Sequence, residues 1–376
     1  MFLVFVVHFA LEYAGTGHAD RVPRALIFVT RLATPTFMLL SGMMLGLLRA
    51  RDDFAATRDK LVDRGLFLLL VCHPLIALAH LPKDLAEGRP AGLFSGNEVF
   101  VTDTIGASLV LGALLPALSA RARSLLGGAL LLTSWIVQVH GTPLGTASGV
   151  LEEALFGRIG DQVLGYSFPL VPWFGVYLLG SAYGTVLARA RAEGDVDLAG
   201  PTRLAFRVSA GLLCVVFLAK VAQMYLRTHE LSRAVGSKER LLDLLSVGVK
   251  VPPSAGYLFF YGGIALAAVS ALLRAERRGA PAFVAAARLR GALATMGRNS
   301  LILFVAQFFV YFAAVRTLPR PPGWLAPVYG AATIALLYAL ARFADARRLN
   351  TWFTVGYAGY VRWVRGAFVR LRSPSP

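Results

Sequence analysis

The chain is poor in charge and almost without cysteine. Of its 376 residues only 16% are Asp, Glu, Lys or Arg, against ~25% in a soluble domain. Hydrophobic residues make up 56%, more apolar surface than a water-soluble fold can bury. A soluble enzyme is excluded. Two cysteines, Cys72 and Cys214, both inside apolar runs, exclude a disulfide framework and a cysteine-rich metal site and read as small buried hydrophobes. His73, His80 and His140 show no ligand spacing with one another or with carboxylates, so no metal is expected. Acidic residues are scarce as well: 21 Asp+Glu stand against 38 Lys+Arg, a formal charge of +17. On a folded, water-facing surface that excess would suggest nucleic acid. Here the cations lie between long apolar runs, which argues against nucleic acid and for membrane topology.

What is present is a series of apolar runs near the ~20 residues that a helix needs to cross hydrocarbon. Ten are expected to be spans: 1–13, 25–48, 65–81, 104–120, 124–139, 170–188, 204–226, 253–273, 299–315 and 323–343. They are too long for barrel strands and lack period-two alternation. The expected fold is therefore all-α, a polytopic membrane protein of about ten transmembrane helices. No fixed repeat and no long polar linker divides it, so residues 1–345 read as one domain, followed by a basic aromatic tail, 346–376.

Lysine and arginine orient the spans. The connections after the even-numbered spans carry 24 of them, counting Arg207 and Arg342 with the loops they adjoin, against 12 on the other side. The positive-inside rule then puts both termini in the cytoplasm, in a plasma or inner membrane. One outer connection, 227–250, is unusually basic and suits substrate contacts. In the tail, Arg347, Arg348, Arg362, Arg365, Arg370 and Arg372 alternate with Trp352, Tyr357, Tyr360 and Trp363, the composition of a segment lying on anionic lipid. The first run is short for a span, which reads as a late start of the chain.

An ionisable group at membrane depth is expensive, so each one is a site candidate. His8, in MFLVFVVHFALEY, can be neutral near pH 7 and accept a proton; it also suits a purely structural bond to a neighbouring helix. His18, in the glycine-rich YAGTGHAD, lies in the first outer loop. Asp103 opens the fourth span, where it can cap the helix or orient a histidine. Arg49, Arg51, Arg58, Lys60 and Arg64 crowd one cytoplasmic connection, and Arg288, Arg290 and Arg298 another. Topology explains them, and guanidinium forks also suit phosphate.

Four stretches in order resemble the membrane acyltransferases related to heparan-α-glucosaminide N-acetyltransferase. They are RLATPTFMLLSGMMLG with Pro35, Phe37, Ser41 and Gly42; FPLVPWFGVYLLGSAYG with Pro169, Pro172, Trp173, Gly175, Gly180 and Gly184; VKVPPSAGYLFFYGG with Lys250, Pro252, Pro253, Ser254 and Tyr257; and MGRNSLILFVAQ with Arg298, Asn299 and Ser300. Gly42, Gly46, Gly180 and Gly184 are also small-xxx-small pairs, the spacing that lets membrane helices approach closely. The pattern departs at Phe304 and Gln307, where relatives often carry Tyr-x-x-His; a glutamine can hydrogen-bond but cannot serve as acid or base.

The resemblance implies transfer of an acyl group, in the first place acetyl, from cytoplasmic acetyl-CoA to a sugar or glycan on the outer face, with membrane lipids as surroundings and a homodimer allowed. It implies His8 or His18 as base, with Asp103 as a group that could orient it. Arg64, Arg298, Lys250, Ser254, Trp173, Asn299 and Ser300 are expected around the donor. The alternative is a transporter or flippase for a lipid-linked or small anionic solute, which ten spans with Arg31 and Lys220 inside them also permit.

Overall fold

Helices follow the apolar runs. The computed structural model describes residues 1–14, 24–51, 53–86, 98–115, 117–141, 146–157, 164, 168–195, 197–228, 242–277, 284–317 and 323–372. In chain order they form α1 (Phe2–Ala14), α2 (Arg24–Thr30), α3 (Ala33–Arg49), α4 (Phe54–Phe67), α5 (His73–Ala86), α6 (Val101–Leu114), α7 (Ala120–His140), α8 (Thr146–Phe156), α9 (Leu170–Ala192) and α10 (Ala199–Thr228). There follow α11 (Ala255–Arg277), α12 (Val284–Arg298), α13 (Ser300–Gln307), α14 (Ala326–Ala346) and α15 (Tyr357–Arg372). Two π-helical turns interrupt the series, Leu68–Cys72 before α5 and Phe308–Val315 after α13. The protein is all-α and polytopic.

All ten runs are helical, but they do not all reach spanning length. Among the described residues seven helical stretches are long and apolar enough to cross a membrane, and an eighth if Arg288–Arg298 and Ser300–Val315, bent by 78°, count as one. Phe2–Tyr13 and Val101–Leu114 are apolar but short. One boundary moves for a local reason. The run expected at 124–139 begins at Ala120 because Ser119 Oγ accepts the Ala122 N–H, 3.1 Å, and caps an extra turn. That turn carries Arg123 into the protein, where it is only 3% exposed.

The core is built on α9. Trp173, Tyr177 and Leu178 are fully buried, and α3 and α7 pack along this helix. The glycine pairs explain the fit of α3. An added Cβ at Gly42 would stand 1.9 Å from the Tyr177 carbonyl oxygen, at Gly46 2.1 Å from that of Ser181, and at Gly184 2.2 Å from that of Met43. The contacts climb both helices together, so α3 and α9 run parallel. Arg31 and Trp173 therefore lie at one pole, Arg49 and Arg189 at the other. The 17 residues of α3 separate the poles by about 26 Å.

The tail closes the second pole as a strap. Asn350 Nδ2 donates to the Asn299 side chain, 2.8 Å, and to the Arg298 carbonyl, 3.0 Å. Further on, Asp63 of α4 accepts the N–H groups of Val355, 2.8 Å, and Tyr357, 3.2 Å, together with the Thr354 hydroxyl. The helix that follows, α15, leaves Tyr360 and Trp363 two-thirds exposed.

Candidate active site

His8 stands on α1 with its ring against Phe308 and Phe312, at centroid distances of 5.8 and 5.3 Å. Those aromatics belong to the second π turn. The fully buried Gln307 just before it faces the imidazole as a side-chain hydrogen-bond partner. His8 Nδ1 and both Gln307 amide atoms are buried and close no hydrogen bond at good geometry. Open polar valences of this kind are where a ligand's own polar atoms fit. A partly buried ion pair, Arg316 Nη1 to Glu12 Oε2 at 3.3 Å, holds α1 to the far end of the same π turn. Removing one partner strands the other, so Arg316→Ala is expected to lower the unfolding temperature in detergent by several degrees. The Glu12→Gln/Arg316→Gln double variant should recover part of the loss; intrinsic fluorescence during heating measures both.

Two more histidines join from α5, neither singled out by the sequence. His80 stacks on Phe312 at 4.7 Å and approaches Glu98 at 3.9 Å. His73 Nδ1 lies 2.9 Å from Asp103 Oδ2, and the same oxygen accepts the Phe100 N–H at 2.7 Å. Asp103 thus both satisfies the start of α6 and holds a histidine, namely His73. The two histidines are seven residues apart, two turns on one helical face, a signal the sequence did carry. The other signal is invisible there: both π turns, a distortion that recurs at functional sites, flank this cluster. Among the described residues no three His, Cys, Asp or Glu side chains form a metal-holding group. His18 lies outside the described residues.

Lys250 completes this pole. The turn that carries it is pinned from several sides. Ser254 Oγ donates to the Ser246 carbonyl, 2.5 Å, and accepts the Tyr257 N–H, 3.0 Å, while Trp135 Nε1 donates to Pro253 O, 3.2 Å. Gly157, at φ +91°, lets Pro252 approach so closely that an added Cβ would meet it at 2.5 Å. The Lys-x-Pro-Pro-Ser element is therefore a rigid bracket, and Ser254 is its clasp. It sets Lys250 Nζ 5.9 Å over the Phe168 ring, and Phe168 stacks on Trp173 at 5.0 Å. The Trp173 Nε1 donor is buried without a partner. Burial and the neighbouring Arg31 guanidinium push the Lys250 ammonium down to about 8.

The opposite pole holds arginines. Arg49, Arg58, Arg123 and Arg189 line a cavity of about 590 Å³ with Ser119 and Thr185. Arg49 Nη2 donates to the Gly112 and Leu115 carbonyls, 2.8 and 2.7 Å, closing the C-terminus of α6. Arg123 donates to the Ser181 hydroxyl and, at 2.6 Å, to that of Thr185, and its Nε is buried without a partner. Arg64 is exposed on α4, beside Asp63. Arg298 pairs with Asp345 at 2.9 Å, and Asn299 Nδ2 donates to the Thr295 carbonyl at 2.9 Å. Ser300 opens α13. The expected donor residues are thus divided: Trp173, Lys250 and Ser254 gather near His8, while Arg64, Arg298, Asn299 and Ser300 stand at the strapped pole.

A family model described as "Acyltransferase domain" matches residues 1–342. The chain belongs to this acyltransferase family. No curated protein and no solved structure matches it. The match covers the histidine cluster and the arginine cavity and ends within the last turn of α14, so the strap and α15 lie outside the matched region.

Proposed function

We propose that the protein moves an acetyl group from cytoplasmic acetyl-CoA to a sugar or glycan on the outer face of a plasma or inner membrane, with both termini in the cytoplasm. The observation that carries this reading is the polarity of the molecule. A guanidinium cavity suited to phosphates lies at one pole, and a half-buried imidazole whose Nδ1 closes no hydrogen bond lies toward the other. The resemblance to the heparan-type enzymes supplies the acetyl donor and the glycan acceptor. Membership of an acyltransferase family favours group transfer over transport.

In the proposed reaction the His8 imidazole takes the proton of the acceptor hydroxyl or amine as its oxygen or nitrogen attacks the thioester carbon. The tetrahedral intermediate carries an oxyanion, to which the buried Trp173 Nε1–H or the Gln307 amide can donate. Collapse breaks the carbon–sulfur bond, and the imidazolium returns its proton to the leaving thiolate. His18 is the rival for the base. The phosphates of the donor sit among Arg49, Arg58, Arg123 and Arg189, with Arg64 and Arg298 at the entrance.

The test is donor-specific. The Arg58→Ala/Arg189→Ala protein is expected to show a KM for acetyl-CoA raised about tenfold or more, the loss of one or two charge-assisted contacts. Its KM for the acceptor should stay unchanged. Free thiol released by protein in proteoliposomes measures both. An unaltered donor KM, or no stabilisation of the purified protein by acetyl-CoA, removes the donor site from this cavity.

A further inference from the structure

At the histidine pole two cations, Arg31 and Lys250, find no acidic partner among the described residues. Arg31, at the joint between α2 and α3, and Lys250, on its bracket, are both partly buried; Arg31 Nη1 would stand 3.6 Å from a Cβ at Gly248, two residues before Lys250, close enough for the two cations to act on each other. Among the described residues neither forms an ion pair. Arg31 has neutral neighbours: its carbonyl accepts the Tyr257 hydroxyl at 2.8 Å, and its guanidinium faces the Tyr261 hydroxyl without closing a hydrogen bond at good geometry. Like charges brought together away from water are costly unless a third group of opposite sign joins them. The carboxylates described around the histidine cluster are committed elsewhere, Asp103 to His73, Glu98 toward His80 and Glu12 to Arg316. Lys250 is also near enough to act electrostatically on His8, so an anion bound between the two cations would sit beside the base.

We infer that Arg31 and Lys250 bind the anionic group of an acidic sugar, a carboxylate or a phosphate, and so present its hydroxyl or amine to His8. This rests on the acyl-transfer reading above and narrows its acceptor from any glycan to an acidic one. The bracket explains how the selection is made: a cation on a mobile loop would attract any anion, whereas Lys250 is fixed relative to Phe168 and α11. Arg31 offers a planar fork and Lys250 a point charge, a pair that can grip one oxyanion from two sides.

Binding tests this without turnover. Methyl β-glucuronide, glucose 6-phosphate and methyl β-glucoside are titrated against the purified protein in nanodiscs by saturation-transfer NMR, with no donor present. The expected result is binding of at least one charged sugar tenfold or more tighter than the glucoside. Lys250→Met or Arg31→Met should abolish the preference, and Lys250→Arg should retain most of it. Equal binding of all three sugars, no binding of either charged one, or a preference that survives Lys250→Met would overturn the inference. Should Lys250→Met fail to fold, Lys250→Gln with a matched melting curve takes its place. A preserved charge preference with no thiol released from acetyl-CoA by any acceptor would instead count against acyl transfer alone.

Discussion

Replacing His8 with Ala is expected to slow acyl transfer by about a hundredfold to ten-thousandfold, the usual worth of a positioned general base. The fold should survive, because His8 Nδ1 closes no hydrogen bond at good geometry and the ring packs mainly on the Phe308 and Phe312 rings, with the Gln307 amide facing it. The phenotype should therefore lie in kcat, with the melting temperature in detergent shifted by a few degrees at most. His8→Gln is the sharper variant, since it keeps a polar group facing Gln307 and removes only basicity. Thiol release from acetyl-CoA in proteoliposomes, measured beside His18→Ala, decides between the two histidines. Full activity in His8→Ala with loss in His18→Ala would move the base into the first outer loop.

The largest effect on folding is expected at the α3–α9 seam. Membrane helices gain little from apolar burial between themselves, since lipid is equally apolar; close backbone approach and packing hold them. Gly42→Leu or Gly184→Leu drives a side chain into the carbonyl of the facing helix, where even a Cβ would stand about 2 Å away. The helices must part, because no flexible side-chain end is available to yield. Overpacking commonly costs about 1–3 kcal/mol and sometimes more, and here the backbone itself is the obstacle. The expected outcome is loss of the folded protein for either leucine variant, and clear destabilisation for Gly42→Ala. Gly128→Ala is the control, since nothing lies within 4 Å of its added Cβ. It should be neutral or stabilising by up to about 1 kcal/mol through helix propensity. Size-exclusion profiles and thermal melts in one detergent separate the cases.

These two regions also show what the sequence can and cannot reveal. The glycine seam was legible because close backbone approach demands residues without side chains, at a spacing that both helices share. His8 was legible because an imidazole in an apolar run stands out by cost alone. His73 and Asp103 were not paired in advance, since residues 30 apart meet only through the way α5 and α6 pack. Arg123 carried a misleading signal: a positive charge at the end of a run looks like a cytoplasmic loop residue, yet a serine cap one turn earlier draws it inside. Nor did the apolar runs reveal their π turns, because the i→i+5 pattern leaves hydrophobicity unchanged.

The shortness of α6 has a consequence for distance. With 14 residues, α6 measures about 21 Å, well under the ~30 Å of a bilayer's hydrocarbon. Beside it the 78° bend at Asn299 turns α12 away from the direction of α13. Phe100, at the start of α6, packs on Phe308, the ring that also flanks His8, so a helix too short to cross alone stands beside the imidazole. In the reaction proposed above, a short partition of this kind would reduce the distance between a donor on one side and an acceptor on the other.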